Sequence, residues 1–334
     1  MGTGGVTSTG GASGTGGAMN TSGGTSSGGG PTTPPFEYVL SVGEVTTWRG
    51  DARAAYTIVH DDTCNASVDN QFNLAAPALN ERGLRATFGA IAEDCSRDGV
   101  WAKLEALRDA GHEICSHTWD HQNLPDVAES NLAAATSLID QAKTELEANL
   151  DDYEVATFIF PYDAFNDALV SHLQTSGHLG ARAGDRGYND TNFADPFRLR
   201  FDVYGPGYSV YIGADGSPCA GYSEGNDWDA TSSECRFYVL NHYVDEVIAA
   251  NGYGIRELHS VEGEAWEPVP ITEYESHLDY VKSKADSGDL WVDTMEAVVR
   301  YRVARDACVA PTFANGTLTF AAPSTECQKY ATPL

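Results

Sequence analysis

The chain has 334 residues, enough for one large domain with appendages or two domains of ordinary size, and its 42% apolar content is ordinary for a globular protein. Its 20 Lys and Arg against 48 Asp and Glu give a formal charge of −28, which excludes nucleic acid as a partner because nothing would neutralise the phosphates. No apolar run approaches the roughly 18 residues of a membrane span, and no nucleotide-binding glycine loop occurs, so neither a membrane span nor phosphoryl transfer is expected.

Residues 1 to 35 are almost wholly Gly, Ser, Thr and Ala until PTTPP at Pro31 to Pro35. Such a segment cannot bury enough apolar surface to offset the entropy of ordering it, so it reads as a flexible low-complexity tether. The start MGTGG has neither a charged nor an apolar leader region, so any export signal has been removed or was never there.

From Phe36 to residue 306 strands and helices alternate. Ala55 to Val59 reads as a strand, Val68 to Arg82 as a helix ended by Gly83, and Arg85 to Ile91 as the next strand. Trp101 to Ala110 is a helix with Gly111 at its C-terminal end, followed by the strand His112 to Ser116. Asn131 to Leu150 has apolar residues at helical spacing and no Gly or Pro, Val155 to Phe160 is a strand stopped by Pro161, and Asp167 to Gln174 is a helix. Phe197 to Phe201 is strand-like, and Gly205 to Glu234, rich in Gly, Tyr and Asp, reads as a long rim loop. Tyr238 to Ala250 is a helix stopped by Asn251 and Gly252, Gly254 to Val261 a strand, and the helices Ile271 to Ala285 and Thr294 to Arg305 flank the strand Leu290 to Val292. This alternation predicts an α/β fold with a parallel sheet, and so many repeats favour a (β/α) barrel whose chemistry sits at the strand ends.

Seven cysteines are present. Cys219 and Cys235 bracket a polar loop, Cys308 and Cys327 bracket a short strand-like NGTLTF, and Cys64 and Cys95 each follow a strand-like segment, so three disulfides and an oxidising compartment are expected. Cys115, in an apolar run, remains as a small buried hydrophobe. Residues 307 to 334 read as a C-terminal tail held by the Cys308 to Cys327 pair.

The chemistry concentrates in GHEICSHTWDH at Gly111 to His121, where His117 and His121 stand four apart at a strand end, an interval that lets both rings address one zinc-type ion. A third ligand has to come from elsewhere, and YTIVHDD at Tyr56 to Asp62 ends a buried strand in two adjacent acids. His60 alternates away from Asp61, and His112 and His277 read as structural.

These segments resemble the polysaccharide deacetylase family, also called the NodB homology domain or carbohydrate esterase family four. IVHDD at Ile58 to Asp62 resembles its first motif, HTWDH at His117 to His121 its histidine motif, FIFPY at Phe158 to Tyr162 its third, and IRELH at Ile255 to His259 its last. Singly each has a bland explanation, such as a turn, a cap or a satisfied core histidine; four in family order over about residues 52 to 305 do not.

The resemblance implies a distorted (β/α) barrel and a metal held by Asp62, His117 and His121, zinc first, with Co2+, Ni2+ or Mn2+ as alternatives. It implies Asp61 as general base, the backbone N–H of Tyr162 as oxyanion donor and His259 as general acid. The family arginine that orients the base falls at Ile159 here, and Arg182 is the expected replacement, with Arg186 and Arg200 behind it. Asp202 is the expected carboxylate beside His259, with Asp185 as rival. Val59 and His60 replace the usual Thr-Phe, and Thr63 the usual Gly, which bears on substrate placement. Trp119, Pro161, Tyr188 and Trp266 are candidate substrate-facing residues. The implied function is a secreted, periplasmic or surface-tethered deacetylase of an acetylated polysaccharide or oligosaccharide such as chitin or peptidoglycan, with acetylxylan as a neighbouring substrate. A carbohydrate-binding protein that keeps the barrel but lost turnover with the change at Ile159 is the alternative.

Overall fold

The structure is a computed structural model that describes residues 45–151, 153–204, 233–263, 265–315 and 317–331. The expected tether, residues 205–232 of the expected rim loop and the expected pairing of Cys219 with Cys235 lie outside the described residues.

Strand β1, Ala54–Thr63, is the hub. Its alternate residues face two buried surfaces: Ala55 and Val59 cluster in the lumen with Cys115, Ile159, Leu199, Phe201 and Ile255, while Tyr56 and Ile58 join the outer layer with Leu79, Val244 and Tyr274. Strands β2 (Thr87–Ala90), β3 (Glu113–Ser116), β4 (Thr157–Ile159), β5 (Gly180–Arg186), β6 (Leu199–Val203) and β7 (Tyr253–Leu258) follow side by side, all parallel. The ring closes because β1 pairs with both β7 and β2. An eighth strand, β8 (Leu290–Val292), shares the β2 edge of β1: β8 takes Ala54 to Tyr56 and β2 takes Val59 to Thr63.

The helices α1 (Ala76–Glu81), α2 (Val100–Asp109), α3 (Leu124–Asn149), α4 (Asp167–Leu173), α5 (Ser233–Ala250), α6 (Ile271–Asp286) and α7 (Met295–Ala307) connect the strands. At the strand-start mouth the first turn of α7 acts as a plug. Met295 N–H donates to Thr87 Oγ1 at 2.9 Å and Glu296 N–H to Glu113 Oε2 at 2.9 Å, so buried side chains satisfy the free helix donors.

Three segments differ from the sequence pattern. The single helix expected over Val68 to Arg82 is a π-helical turn at Gln71–Ala75 leading into α1, because Pro77 has no N–H to give an ordinary helical turn and the Gln71 side chain is drawn into the barrel. Helix α3 starts at Leu124, ahead of Asn131, capped by the Asn123 side chain, and Asn131 itself breaks the helix with φ −158 and ψ 92. Strand β5 was not legible as a strand, since GARAGDR lacks β-branched residues.

The tail is tied back by the expected Cys308–Cys327 disulfide around the hairpin of β9 (Thr312–Ala314) and β10 (Thr317–Thr319). On its last helix, α8 (Thr325–Tyr330), Tyr330 joins the lumen cluster and donates to the Leu179 carbonyl at 3.1 Å. Cys64 and Cys95 form the second expected disulfide, and Cys115 is buried and free.

Candidate active site

The side chains that carry chemistry meet where the strands end. β1 delivers Asp61 and Asp62, the segment after β3 delivers His117 and His121, the turn after β4 delivers Tyr162, and the end of β7 delivers Glu257 and His259. Asp62, Thr118, His121 and Tyr162 have φ of 63, 69, 59 and 55, a left-handed conformation that non-glycine residues seldom hold. Surrounding contacts fix it: the His121 N–H donates to Thr118 Oγ1 at 3.0 Å, and the rings of His121 and Tyr162 pack 4.7 Å apart.

Whether these residues suit a metal is decided by three atoms. Oδ1 of Asp62 lies 3.5 Å from Nε2 of His117 and 3.2 Å from Nε2 of His121. Ligands about 2.0–2.1 Å from a tetrahedral ion stand roughly 3.3 Å apart, which is this spacing. Nδ1 of His117 lies 3.0 Å from the Ile159 carbonyl, so its proton sits there and Nε2 presents a lone pair. Oδ1 of Asp62 is buried yet accepts no hydrogen bond among the described residues. Burial alone would lower the His117 pKa, but Asp62 and Asp61 raise it, and although burial pushes Asp62 up, the two imidazoles bring it below the usual carboxylate range. The pocket therefore stabilises positive charge, and the donor set fits a divalent cation of the zinc type.

Asp61 is buried beside this group. Arg182 reaches it from β5, donating through Nη1 to Oδ1 at 2.9 Å and through Nη2 to Oδ2 at 2.6 Å. Ile159, at the position of the family arginine, is the direct ladder partner of Arg182, so the cation enters the same part of the lumen from one strand over. Burial would raise the Asp61 pKa; the Arg182 charge and the nearby imidazoles hold it low, which keeps the carboxylate ionised. Arg186 stands further out, paired with Asp163 at 2.8 Å, and Arg200 donates to the Arg186 carbonyl at 2.5 Å.

His259 lies across the cleft, its Nε2 3.9 Å from Oδ2 of Asp62, and burial lowers its pKa. Its expected partner is corrected by the structure. Asp202 accepts from Nη1 of Arg256 at 2.9 Å, whereas the carboxylate facing Nδ1 of His259 is Glu257, with Oε1 at 3.9 Å. The rival Asp185 is exposed. Glu257 and His259 share a face because strand side chains repeat every second residue, while Arg256 and its partner Asp202 belong to the other row. Burial raises the Glu257 pKa above its usual range even though Arg182 stands 3.2 Å away, so the two buried carboxyls around one guanidinium are pushed in opposite directions, Asp61 down and Glu257 up.

Among the candidate substrate-facing residues, Tyr162 is 66% exposed above His121, and Trp266 is 46% exposed with its ring 4.6 Å from that of His259, so two aromatic faces flank the cleft. Pro161 is buried and starts the turn that presents Tyr162. Trp119 is half-buried against the outer core. Tyr188 is corrected: its neighbour Asn189 bridges Tyr253 at the start of β7, the opposite end of the strand that leads to His259, and its ring packs beside Gly252. Asp163, Glu257 and Gln71 were missed from the sequence. Asp163 joins Arg182 at 3.1 Å and Arg186, and Gln71 bridges the carbonyls of Asp61 and His259. Strand periodicity could have found Glu257, but Asp163 and Gln71 lie in irregular turns without a local signal.

Residues 54–181 match the family model for polysaccharide deacetylase. Among solved structures, a Mycobacterium smegmatis protein assigned as a polysaccharide deacetylase is 14% identical, with 83% of this chain and 99% of that chain covered at a TM-score of 0.55. Peptidoglycan deacetylase PdaC from Bacillus subtilis is 15% identical, with 76% and 94% covered at a TM-score of 0.43. A family 4 carbohydrate esterase from Streptomyces lividans, solved with acetate, is 14% identical, with 72% and 92% covered at a TM-score of 0.43. No curated protein matches. The barrel is in common with the mycobacterial structure, and the polysaccharide deacetylase match over residues 54–181 spans Asp61, Asp62, His117, His121 and Tyr162, so this stretch is similar to a polysaccharide deacetylase domain.

Proposed function

We propose that this protein is a metal-dependent deacetylase that hydrolyses N-acetyl groups, and O-acetyl groups by the same machinery, on a polysaccharide or oligosaccharide such as chitin or peptidoglycan. The observation that carries the reading is one buried carboxylate, Asp61, clasped by Arg182 and lying next to the Asp62, His117 and His121 group. Asp62, His117 and His121 would hold a divalent ion, zinc first, which would supply Lewis acidity and a water whose pKa is lowered toward about 7. Asp61 takes the proton of the attacking water, whose oxygen bonds to the acetyl carbon. The backbone N–H of Tyr162 steadies the negative charge that grows on the acetyl oxygen. As the carbon–nitrogen bond breaks, His259 gives its proton to the departing amine, leaving acetate and a free amino sugar. Tyr162 and Trp266 offer ring faces on which the C–H face of a sugar can stack.

We take residues 36–306 as the catalytic unit and a non-cytoplasmic, oxidising compartment as its setting, which the two disulfides support. The alternative of a silent carbohydrate binder rested on Ile159; with Arg182 on Asp61 that reason is gone. Acetate release from chitooligosaccharides, peptidoglycan and acetylxylan tests the reading. Release that stops with a chelator, returns with zinc and is lost in Asp61→Asn is the expected result, and sugar binding with no acetate from any of the three overturns it.

A further inference from the structure

The ladder between β1 and β7 runs from Ala55 with Tyr253 to His60 with Leu258 and stops there. The next residue of each strand is one the deacetylase reading needs, Asp61 on one and His259 on the other. Beyond His60 the register of β1 shifts, and Asp62 turns left-handed at φ 63. The carbonyls of Asp61 and His259 are therefore past the last rung, at the place where the two strands would be free to drift apart.

Gln71 closes that gap. Its side chain is fully buried, and Nε2 donates to the Asp61 carbonyl at 2.5 Å and to the His259 carbonyl at 2.8 Å. Oε1 accepts from Thr63 Oγ1 at 2.5 Å, which with the two carbonyls leaves the amide one orientation. A backbone N–H has one hydrogen and serves one carbonyl, whereas a primary amide has two and can serve both strands. Gln71 is itself the first residue of the π-helical turn Gln71–Ala75, a device that recurs at functional sites because it re-aims a side chain out of helical register. The segment leading to it is fastened by the Cys64–Cys95 disulfide and by Arg97, which donates through Nε to the Cys64 carbonyl at 2.8 Å.

We infer that Gln71 is a positioning residue: its amide is a side-chain rung that sets the distance between the proton acceptor Asp61 and the proton donor His259. This rests on the deacetylase reading for what the two residues do. The His60 ring, with Nδ1 3.1 Å from the His259 carbonyl, supports the same strand end from the outer side and cannot reach Asp61 across it, so Gln71 alone among the described residues ties the two carbonyls together.

Two substitutions and two substrates test the inference. Gln71→Met keeps the length and removes the donors, and Gln71→Glu keeps the shape and turns an acceptor toward both carbonyls. An N-acetylated chitooligosaccharide needs its leaving amine protonated, whereas an aryl acetate releases a phenolate without that help. The expected result is that both variants melt cooperatively, and that kcat on the oligosaccharide, which needs both Asp61 and His259, falls at least about tenfold with KM unchanged, while aryl acetate turnover, which needs Asp61 alone, falls by a clearly smaller factor. Equal losses on both substrates, tracking the folded fraction, overturn the inference and leave Gln71 a structural residue. A wild-type enzyme inert on both substrates sinks the deacetylase reading instead. In that case a crystal structure of Gln71→Met decides: the Asp61 and His259 carbonyls move apart if Gln71 sets their distance, and unchanged positions overturn it.

Discussion

Both carboxylate oxygens of Asp61 are held by one guanidinium, that of Arg182, at 2.9 and 2.6 Å inside a fully buried lumen. The pair is planar and two-point, which lysine cannot reproduce. Arg182→Lys is therefore expected to lower kcat at least about tenfold with metal content intact. Arg182→Ala is a poorer test, because Asp61, Asp163 and Glu257 would lose their shared cation, a loss on the order of 3–5 kcal/mol. Unchanged turnover in Arg182→Lys removes the arginine from the mechanism.

The two adjacent aspartates should separate in a metal titration. Asp62 faces both imidazoles, whereas Oδ2 of Asp61 lies 4.0 Å from Nε2 of His117 and is already committed to Arg182. Asp62→Asn is expected to weaken zinc binding at least about a hundredfold, and Asp61→Asn by less than about tenfold. Competition against a chelating dye measures both, and equal losses would mean that the ion sits between the aspartates.

Acid should unfold this protein through histidines kept neutral by burial. His277, in contact with Asn241 at 2.8 Å, is pushed down to about 3, as is His178, while His60 and His112 are pushed down to about 4. Their unfolded forms protonate near 6.5, so the unfolded chain binds more protons below that pH. The stability they support is complete above pH 6.5 and lost as the pH falls toward 3 to 4, with a slope of about 1.4 kcal/mol per pH unit for each ring. Glu113 opposes them: burial raises its pKa to about 7, so its contribution weakens as the pH rises from its unfolded value toward 7. His277→Gln should remove about one proton from the uptake on unfolding near pH 5.5, read from urea melts across that range. An unchanged slope would show that the ring is charged in the folded protein.

Cys64 and Cys95 are separated by 31 residues and fasten the segment between Asp62 and Gln71. Loop-closure entropy for such a span is about 3–4 kcal/mol. The double variant Cys64→Ala, Cys95→Ala should lose that much in denaturant unfolding, and a loss below about 1 kcal/mol would mean that Arg97 and the π-helical turn already hold the loop.

Much of the barrel was written in hydrophobic periodicity, since β1, β3, β4 and β7 are apolar runs that end at the residues carrying chemistry. β5 was hidden because its lumen face holds Arg182 and its other residues are mostly Gly and Ala, which have no strand signature. Arg182 itself could be anticipated from a missing charge at Ile159. The carboxyl nearest Nδ1 of His259 could not be anticipated from motif order, which pointed at Asp202; alternation along IREL points at Glu257 instead. Asp163 and Gln71 act from turns, where spacing carries no facing information until the chain is folded.

The backbone around the ion pocket also sets limits on improving this protein. Thr118 ligates nothing, yet it holds a conformation that glycine would adopt at roughly 1 kcal/mol less cost. Selection for heat tolerance would favour such a replacement. It would also take away the hydroxyl that anchors His121, so variants picked from this rim for surviving high temperature should be the ones whose His121 no longer faces Asp62 and His117.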